Sequence, residues 1–312
     1  MHPKLFIGDI ARIEKISVPA IHNRMKERQI EYKEYKSRAY LPPEIVSKLL
    51  KKNITKQKIV IHTTKGGVGK TTITQNLAYR FSSFGAKVLV IDLDQQGNLT
   101  SGLTGDDINQ YKTIQDVLEG TVSFEDVIKP IIQGIDLIPS NLRNAQNTQY
   151  MAGYGISPGD FLPIHIANIE DRYDIILIDC PPSLGHIIQS AYLACDRVLS
   201  ILDPDSNALH GVKHSLAETK KYSQLKKQNI KFNIVLNKYD ARTVFSNVMS
   251  GNLMQDPDLK DYVLDTVINT SQEYIKANEL RETIFDFSRR HKAYIDIDNL
   301  ARELLGWGTS KD

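Results

Sequence analysis

Cysteine is nearly absent from this chain. The two cysteines in 312 residues, Cys180 and Cys195, have neither the number nor the spacing of a disulfide framework, a zinc site or an iron–sulfur cluster. No uninterrupted apolar run is long enough to cross a bilayer, and Met1-His2-Pro3-Lys4 leads into no secretory apolar core. A reducing, cytoplasmic setting without a membrane partner is expected. Internal repeats and low-complexity tracts are also missing. The net charge is only +2, which excludes a chain that is basic or acidic throughout. That small number hides a division. Residues 1–58 hold 14 Lys/Arg against 6 Asp/Glu, and the remainder 25 against 31. A small basic module on a mildly acidic body suggests that the module meets a polyanion. With 41% hydrophobic and 24% charged residues, the composition is that of a globular protein with one large and one small unit.

The chain is organised around Thr63-Thr64-Lys65-Gly66-Gly67-Val68-Gly69-Lys70-Thr71-Thr72. The apolar run Ile59-Val60-Ile61 before it reads as a buried strand. The apolar spacing from Ile73 to Phe81 after it reads as a helix. Strand, glycine loop and helix together are what a phosphate-binding loop requires. Glycines let backbone N–H groups approach a polyphosphate without Cβ clashes, and the helix N-terminus adds its positive dipole end. Lys70 supplies a charge for the outer phosphates, and Thr71 a hydroxyl for Mg²⁺. Lys65, at the loop tip, is a second cation, more than one nucleotide needs from its own chain. The loop resembles the deviant Walker A motif, KGGxGKTT, of the ParA/MinD group of P-loop ATPases. In that group the extra lysine completes the partner's ATP site in a sandwich dimer, a role that Lys65 inherits by resemblance.

Two further strands end in carboxylates. Ala86 to Asp94 carries an unbroken apolar run, as expected for a parallel strand covered on both faces, and closes on Asp92 and Asp94 before Gln95-Gln96-Gly97-Asn98. Strand ends of this kind are where open α/β sheets place ligands. The stretch resembles the family's DxDxQGN element, which implies that Asp94 positions the hydrolytic water and that Asp92 supports Mg²⁺ through water. Tyr173 to Pro182 is similar to the family's YDxxxIDxPP. Its Asp179 sits where a Walker B aspartate holds Mg²⁺ beside phosphates, and Cys180 reads as a small filler. Asn237-Lys238-Tyr239-Asp240-Ala241-Arg242-Thr243 is similar to the N-x-Y/F-D-x-R-T stretch of ParA partition ATPases. That places Asn237 near the base and Arg242 in a region implicated in non-specific DNA contact; a surface ion pair is the alternative for Arg242. Downstream, Thr266-Val267-Ile268-Asn269 departs from the family's TVIP. The basic residues Lys276 and Arg281 are candidate DNA contacts, and Ser288 to Tyr294 partly matches the opening of the final helix.

At the front, Phe6 to Ile13 has helical spacing, Lys15-Ile16-Ser17 breaks it, and Ser17 reads as the N-cap of a helix from Val18 to Arg28. Two short helices joined by a tight turn fit a helix-turn-helix whose second helix offers His22, Asn23, Arg24, Lys26 and Arg28. The alternating stretch from Ile30 to Tyr40, with Lys36 and Arg38, suits a hairpin wing. Pro42-Pro43-Glu44 opens a third helix from Ile45 to Leu50. This order is similar to a MerR-like winged helix; a small basic interaction module without base readout is the alternative. Lys51 to Lys58 reads as a polar, solvated linker. Helices are expected at Thr113 to Leu118 and Phe124 to Ile128, a strand at Ile135 to Pro139, and a surface segment without chemistry at 141–159.

The expected architecture is therefore α/β: a doubly wound, mostly parallel P-loop NTPase sheet at 58–312, preceded by a winged helix-turn-helix at 1–57. The resemblance implies a slow, partner-stimulated Mg-dependent ATPase with ATP and Mg²⁺ as cofactors. Lys65, Lys70 and Asp94 are its catalytic candidates. The nucleotide contacts are Lys65, Gly66, Gly67, Val68, Gly69, Lys70, Thr71, Thr72 and Asn237, and the metal-side candidates are Thr71, Asp92 and Asp179. The implied partners are a second copy, nucleoid DNA, operator DNA and a ParB-type centromere-binding protein. The DNA-contact candidates are Asn23, Arg24, Lys26, Arg28, Lys36, Arg38, Arg242 and Lys276. A MinD-like membrane-associated regulator and an ATP-switched transcriptional regulator are the competing readings, although no Lys-rich amphipathic tail closes the chain.

Overall fold

The computed structural model describes residues 2–205, 208–280, 282–287 and 291–309. Arg281 and Ser288 to Arg290, singled out above, lie outside the described residues. An eight-stranded sheet forms the centre. In chain order its strands are β4 (Gln57–Ile61), β5 (Val88–Asp92), β6 (Lys129–Ile132), β7 (Ile135–Ile138), β8 (Ile175–Asp179), β9 (Arg197–Leu202), β10 (Lys231–Tyr239) and β11 (Val263–Asn269). Their spatial order is β11-β10-β9-β4-β8-β5-β7-β6. All neighbours pair parallel except β6 with β7.

The apolar runs explain the burial. Val88 to Asp92 and Ile175 to Asp179 are buried at every residue, as strands covered by helices on both faces must be. Register does the rest: Ile61 stands opposite Asp179 on one side of β8, and Asp92 opposite Asp179 on the other. Three strand ends thus deliver the phosphate loop and two carboxylates to the carboxyl end of the central strands.

In front of this body lie β1 (Leu5–Phe6), α1 (Ile7–Ile13), α2 (Val18–Glu27), β2 (Lys33–Tyr35), β3 (Arg38–Leu41) and α3 (Pro43–Val46), with a small sheet ordered β1-β3-β2. The Ser17 Oγ accepts from the Ala20 N–H at 3.3 Å, capping α2 as its sequence implies. The β2–β3 turn places Lys36 and Ser37 at φ 47° and 57°, the left-handed pair a two-residue hairpin needs.

This front module is not held at a distance. Its Leu5, Ile10, Ile13, Ile21 and Leu41 belong to one apolar cluster with Leu77 and Phe81 of helix α4 (Lys70–Ser83), with Phe84 just after it, and with Ile297 and Leu300 of the C-terminal helix Lys292–Leu304. The expected solvated linker is pinned instead. The Lys51 N–H donates to Glu14 Oε1 at 2.8 Å, Ile54 packs on the core, and Trp307 Nε1 donates to the Asn53 carbonyl at 3.0 Å. Between module and body sits a charge network in which Arg80, Asp9 and Asp298 are fully buried and Arg12 is partly exposed. Arg80 of α4 bonds Asp298 and lies 3.5 Å from Asp9 of α1; Arg12 reaches Asp9 at 3.1 Å and Asp298 at 3.2 Å; the Tyr294 hydroxyl donates to Asp9.

Three local expectations are corrected. The stretch from Phe124 to Ile128 forms turns rather than a helix and leads into β6, an edge strand that the sequence did not signal. The third front helix ends at Val46, four residues before Leu50. The 141–159 segment is not merely surface: it folds into Leu142–Gln146 and Asn147–Gly153 turns of helix with Asn144, Asn147 and Met151 buried.

Candidate functional site

The loop after β4 wraps a cavity of about 560 Å³ lined by Gly66, Gly67, Gly69, Lys70, Thr71 and Thr72, with Asp94 and Gln95 on the β5 side and Pro181 to Ser183 after β8. Gly67 and Gly69 adopt φ +72° and +94°, the left-handed region open to glycine. A Cβ on Gly69 would fall 2.5 Å from Asn237 Nδ2. Asn237 itself donates to the Val68 carbonyl at 2.7 Å, and Lys238 Nζ to the Gly67 carbonyl at 2.5 Å. The β10 end therefore braces the loop from outside.

Lys70 is buried, and among the described residues its ammonium donates only to the carbonyls of Lys65 (3.0 Å) and Thr63 (3.4 Å). Burial pulls its pKa below the ordinary lysine value, with Asp179 acting against that pull. A cation held this way is matched to an incoming polyanion. The Thr71 Oγ1 donates to Asp179 Oδ2 at 2.8 Å, and Thr74 Oγ1 to Asp179 Oδ1 at 3.1 Å. Burial raises the Asp179 carboxyl to about 6. A hydroxyl and a carboxylate that bond each other in this way are the pair a Mg²⁺ would take as ligands. Among the described residues no group of three or more His, Cys, Asp or Glu is placed to hold a metal ion.

Asp92 and Asp94 divide their work. Asp92 is fully buried and accepts from the Thr100 N–H (3.0 Å), the Thr100 hydroxyl (2.7 Å) and the Asp94 N–H (3.1 Å). It anchors the start of helix α5 (Asn98–Thr104) and fixes Asp94. Burial, then the nearby Asp179, push its carboxyl up to about 8. Asp94 is half-buried and lines the cavity. Lys65, at the loop tip, folds onto its own chain. It pairs with Asp203 at 2.9 Å and Asp205 at 3.0 Å. Partial burial opposes its charge, but these carboxylates outweigh that and raise its pKa.

The structure brings Lys65, Lys70, Thr71, Asp92, Asp94, Asp179 and Asn237 together at the carboxyl ends of the sheet's strands. It adds residues that the sequence reading missed. Asn144 and Thr148, from the segment thought to carry no chemistry, line the cavity. Asp203 and Asp205 hold Lys65. His62, just before the loop, is buried with Nδ1 2.8 Å from the Tyr192 hydroxyl. Only a fold places these; no motif spacing announces them.

The described DNA-contact candidates are scattered. Asn23, Lys26 and Arg28 lie exposed along α2, with Arg28 donating to the Lys48 carbonyl. Arg24 is half-buried and pairs with Glu14 at 3.0 Å. The wing cations face the body: Lys36 pairs with Glu282 at 2.8 Å, and Arg38 donates to the carbonyls of Phe285, Asp286 and Phe287 while stacking on Phe6. Arg242 grips Asp240 with two bonds at 2.9 and 2.8 Å. Lys276 is exposed, 5.6 Å from the Phe287 ring centroid.

A family model described as an AAA domain matches residues 56–234, the stretch that carries the phosphate loop and the carboxylates beside it. The chromosome-partitioning ATPase Soj of Thermus thermophilus is 30% identical over 250 residues, covering 80% of this chain and 95% of Soj. The chain belongs to the ParA/MinD family of P-loop ATPases. Within this ParA/MinD family, an uncharacterized Mycobacterium tuberculosis protein, Rv1708, is 32% identical over 252 residues, 79% of this chain and 78% of its own length. The septum site-determining protein MinD of Pyrococcus horikoshii, solved with Mg-ADP, superposes with a TM-score of 0.62 at 26% identity, covering 80% of this chain and 96% of MinD. None of these matches bears on residues 1–55 as a winged helix. For this ParA/MinD-family ATPase, no described helix is long and apolar enough to cross a membrane.

Proposed function

We propose that this chain is a DNA-partition ATPase: ATP joins two copies, the pair binds nucleoid DNA without sequence preference, and hydrolysis releases it. The observation that carries the reading is the placement of Lys70 and the half-buried carboxylate of Asp94 on one cavity of about 560 Å³, with a second lysine, Lys65, beside it at the loop tip. Backbone N–H groups of Gly66 to Thr72 would cradle the phosphates, and Lys70 would neutralise the outer ones. Thr71 and Asp179 would hold Mg²⁺ directly or through water, and Asp92 would support it by fixing their neighbour Asp94. Bound there, Mg²⁺ would neutralise charge on the phosphate oxygens. Asp94 orients the attacking water. Lys65 leaves Asp203 and Asp205 for the neighbouring copy's nucleotide, so its exchange of partners couples ATP to pairing. A ParB-type protein would speed hydrolysis, and the exposed face of α2, with Asn23, Lys26 and Arg28, would read an operator.

Light scattering with a saturating non-hydrolysable ATP analogue tests this: a dimer is expected, with a monomer for Lys65→Ala. A wild-type monomer would remove the reading. MinD shares the fold, so a membrane-associated regulator is the second reading; pelleting with anionic vesicles in ATP separates the two.

A further inference from the structure

Strand β10 ends irregularly. Side chains on a regular strand alternate between the two faces of the sheet, so neighbours such as Asn237 and Lys238 would not both reach one loop. Here both do, Asn237 Nδ2 donating to the Val68 carbonyl at 2.7 Å and Lys238 Nζ to the Gly67 carbonyl at 2.5 Å. Two departures make this possible. Leu236 stands opposite Val267 and Tyr239 opposite Asn269, so β10 carries one more residue than β11 between these pairs. Irregularities of this kind re-aim side chains beside sites. Lys238 also adopts φ 53°. The other described non-glycine residues with positive φ, namely Lys15, Gln29, Lys36, Ser37 and Lys227, lie between elements, whereas Lys238 lies inside a strand. A left-handed lysine is strained, and such strain persists only where surrounding contacts over-determine it. We propose that Lys238 is a positioning residue for nucleotide binding: its ammonium fixes the Gly67–Val68 peptide so that the N–H, not the carbonyl, faces the phosphates.

The peptide unit is planar and trans, so its C=O and N–H point in opposite directions. A Gly67 carbonyl drawn toward β10 turns the Val68 N–H away from that strand, and a Val68 carbonyl drawn the same way turns the Gly69 N–H with it. Away from β10 lies the cavity. Its wall beyond the loop includes Asp94, Gln95 and Pro181 from the β5 and β8 ends, and neither Asn237 nor Lys238 lines it. The two sides of the loop are held differently. A Cβ on Gly69 would fall 2.5 Å from Asn237 Nδ2, whereas one on Gly66 or Gly67 would meet nothing within 4 Å. Close contact therefore holds the Gly69 side, and the lysine holds the Gly67 side. With glycine at 66 and 67, backbone rotation there is opposed by no side chain of its own, and a carbonyl that tilted inward would set an acceptor against a phosphate oxygen. The loop's own lysines are engaged elsewhere: Lys65 pairs with Asp203 and Asp205, and Lys70 donates to the carbonyls of Lys65 and Thr63.

This inference rests on the nucleotide reading of the loop and on neither pairing nor DNA. Affinity of the full-length protein for Mg-ADP is therefore measured by calorimetry, since the proposed function assigns pairing to ATP. Lys238→Met should weaken binding about five- to tenfold, the size of one charge-assisted hydrogen bond. Lys238→Arg keeps a charged donor and should restore most of the affinity. Turnover at saturating ATP should change much less than KM, because an interaction shared by the bound and transition states moves KM and not kcat. Lys238→Gly relieves the left-handed strain and also removes the ammonium, so it should bind as weakly as Lys238→Met. The Val68 amide resonance of the nucleotide-free protein should move in Lys238→Met and return in Lys238→Arg. Wild-type affinity in Lys238→Met or Lys238→Gly, or a loss that Lys238→Arg does not repair, would overturn the inference and leave the ATPase reading standing. So would weakened binding with the Val68 amide unmoved, the sign of an ammonium acting through its charge alone. Failure of wild type to bind Mg-ADP would overturn both readings. Failure to pair in ATP, with the Lys238 effects intact, would remove the partition reading alone.

Discussion

The cations at the phosphate loop and those of the front module are arranged in opposite ways. Lys70 is buried against carbonyls alone, with its charge left for a ligand. The front module has more positive charge, but much of it is turned inward. Lys4 pairs with Asp286 at 2.7 Å, Arg12 with Asp9 and Asp298, Arg24 with Glu14, Lys36 with Glu282, and Arg38 with three backbone carbonyls. A charge count over residues 1–58 therefore overstates the surface offered to DNA. Five of those cations serve to dock or brace the module; Lys26 is exposed on α2, and Lys15, Arg28, Lys33, Lys48, Lys51, Lys52 and Lys56 are exposed elsewhere in residues 1–58. Charge excess in a sequence locates an electrostatic interaction; it does not say whether the partner is another molecule or the same chain.

The contrast can be broken most forcefully at Arg80. Removing it leaves Asp9 and Asp298 buried without their guanidinium, so Arg80→Ala should cost about 3–5 kcal/mol of unfolding free energy, read by urea denaturation. A loss below about 1 kcal/mol would mean that the network is not what clamps the module. Next comes Lys70→Ala, expected to weaken ATP binding on the order of 100-fold, from roughly 3 kcal/mol for a lost charge-assisted contact. Calorimetry that finds affinity retained would end the argument for a ligand-directed charge.

A smaller effect is expected from pH. Burial holds the Asp179 carboxyl at about 6, above its ordinary value, and a metal ligand must be ionised. Affinity for Mg-nucleotide should therefore climb as pH rises from 5 through 6 and level off above, by at most about tenfold per unit. Because the folded apo state holds this proton and the unfolded chain releases it near 4, apo stability should fall over the same rise. Asp179→Asn should abolish the affinity trend and reduce the stability trend to the part that the Asp92 carboxyl, raised to about 8, contributes; a flat wild-type affinity profile would contradict the assignment. The smallest effect belongs to the wing. Lys36 is about half exposed in its pair with Glu282, so Lys36→Ala should change stability by less than about 1 kcal/mol. A clear loss of DNA affinity from that variant, with stability unmoved, would show that the wing turns outward.

The sheet core and the phosphate-side residues were legible because each is encoded locally. Each apolar run lies within ten residues of the glycine loop or the terminal carboxylate that follows it. What escaped was non-local or lacked its usual punctuation. The β2–β3 hairpin was legible from its alternation, although its turn uses Lys36 and Ser37 where Asn-Gly would have announced it. Strand β6 carries Pro130 and sits at the sheet edge, where a proline is tolerated but weakens any strand signal. Asn144 and Thr148 reach the cavity only because their short helices fold over it. The inward turn of Arg38 depends on carbonyls almost 250 positions away, which no spacing rule reaches. Whether α2 reads DNA is likewise a matter of what lies opposite it.

Helix α4 begins at Lys70 and carries Arg80 near its other end. One consequence concerns dissection of the chain. Cutting away residues 1–55 would not simply unplug a reading head; it would strip the cover from Leu77, Phe81 and Phe84 and leave Arg80 and Asp298 facing water or a void. A shortened protein that fails to hold DNA would then report a wounded ATPase rather than a missing operator grip. Point changes on the outer side of α2, such as Asn23→Ala or Lys26→Ala, are the cleaner way to ask what that helix touches.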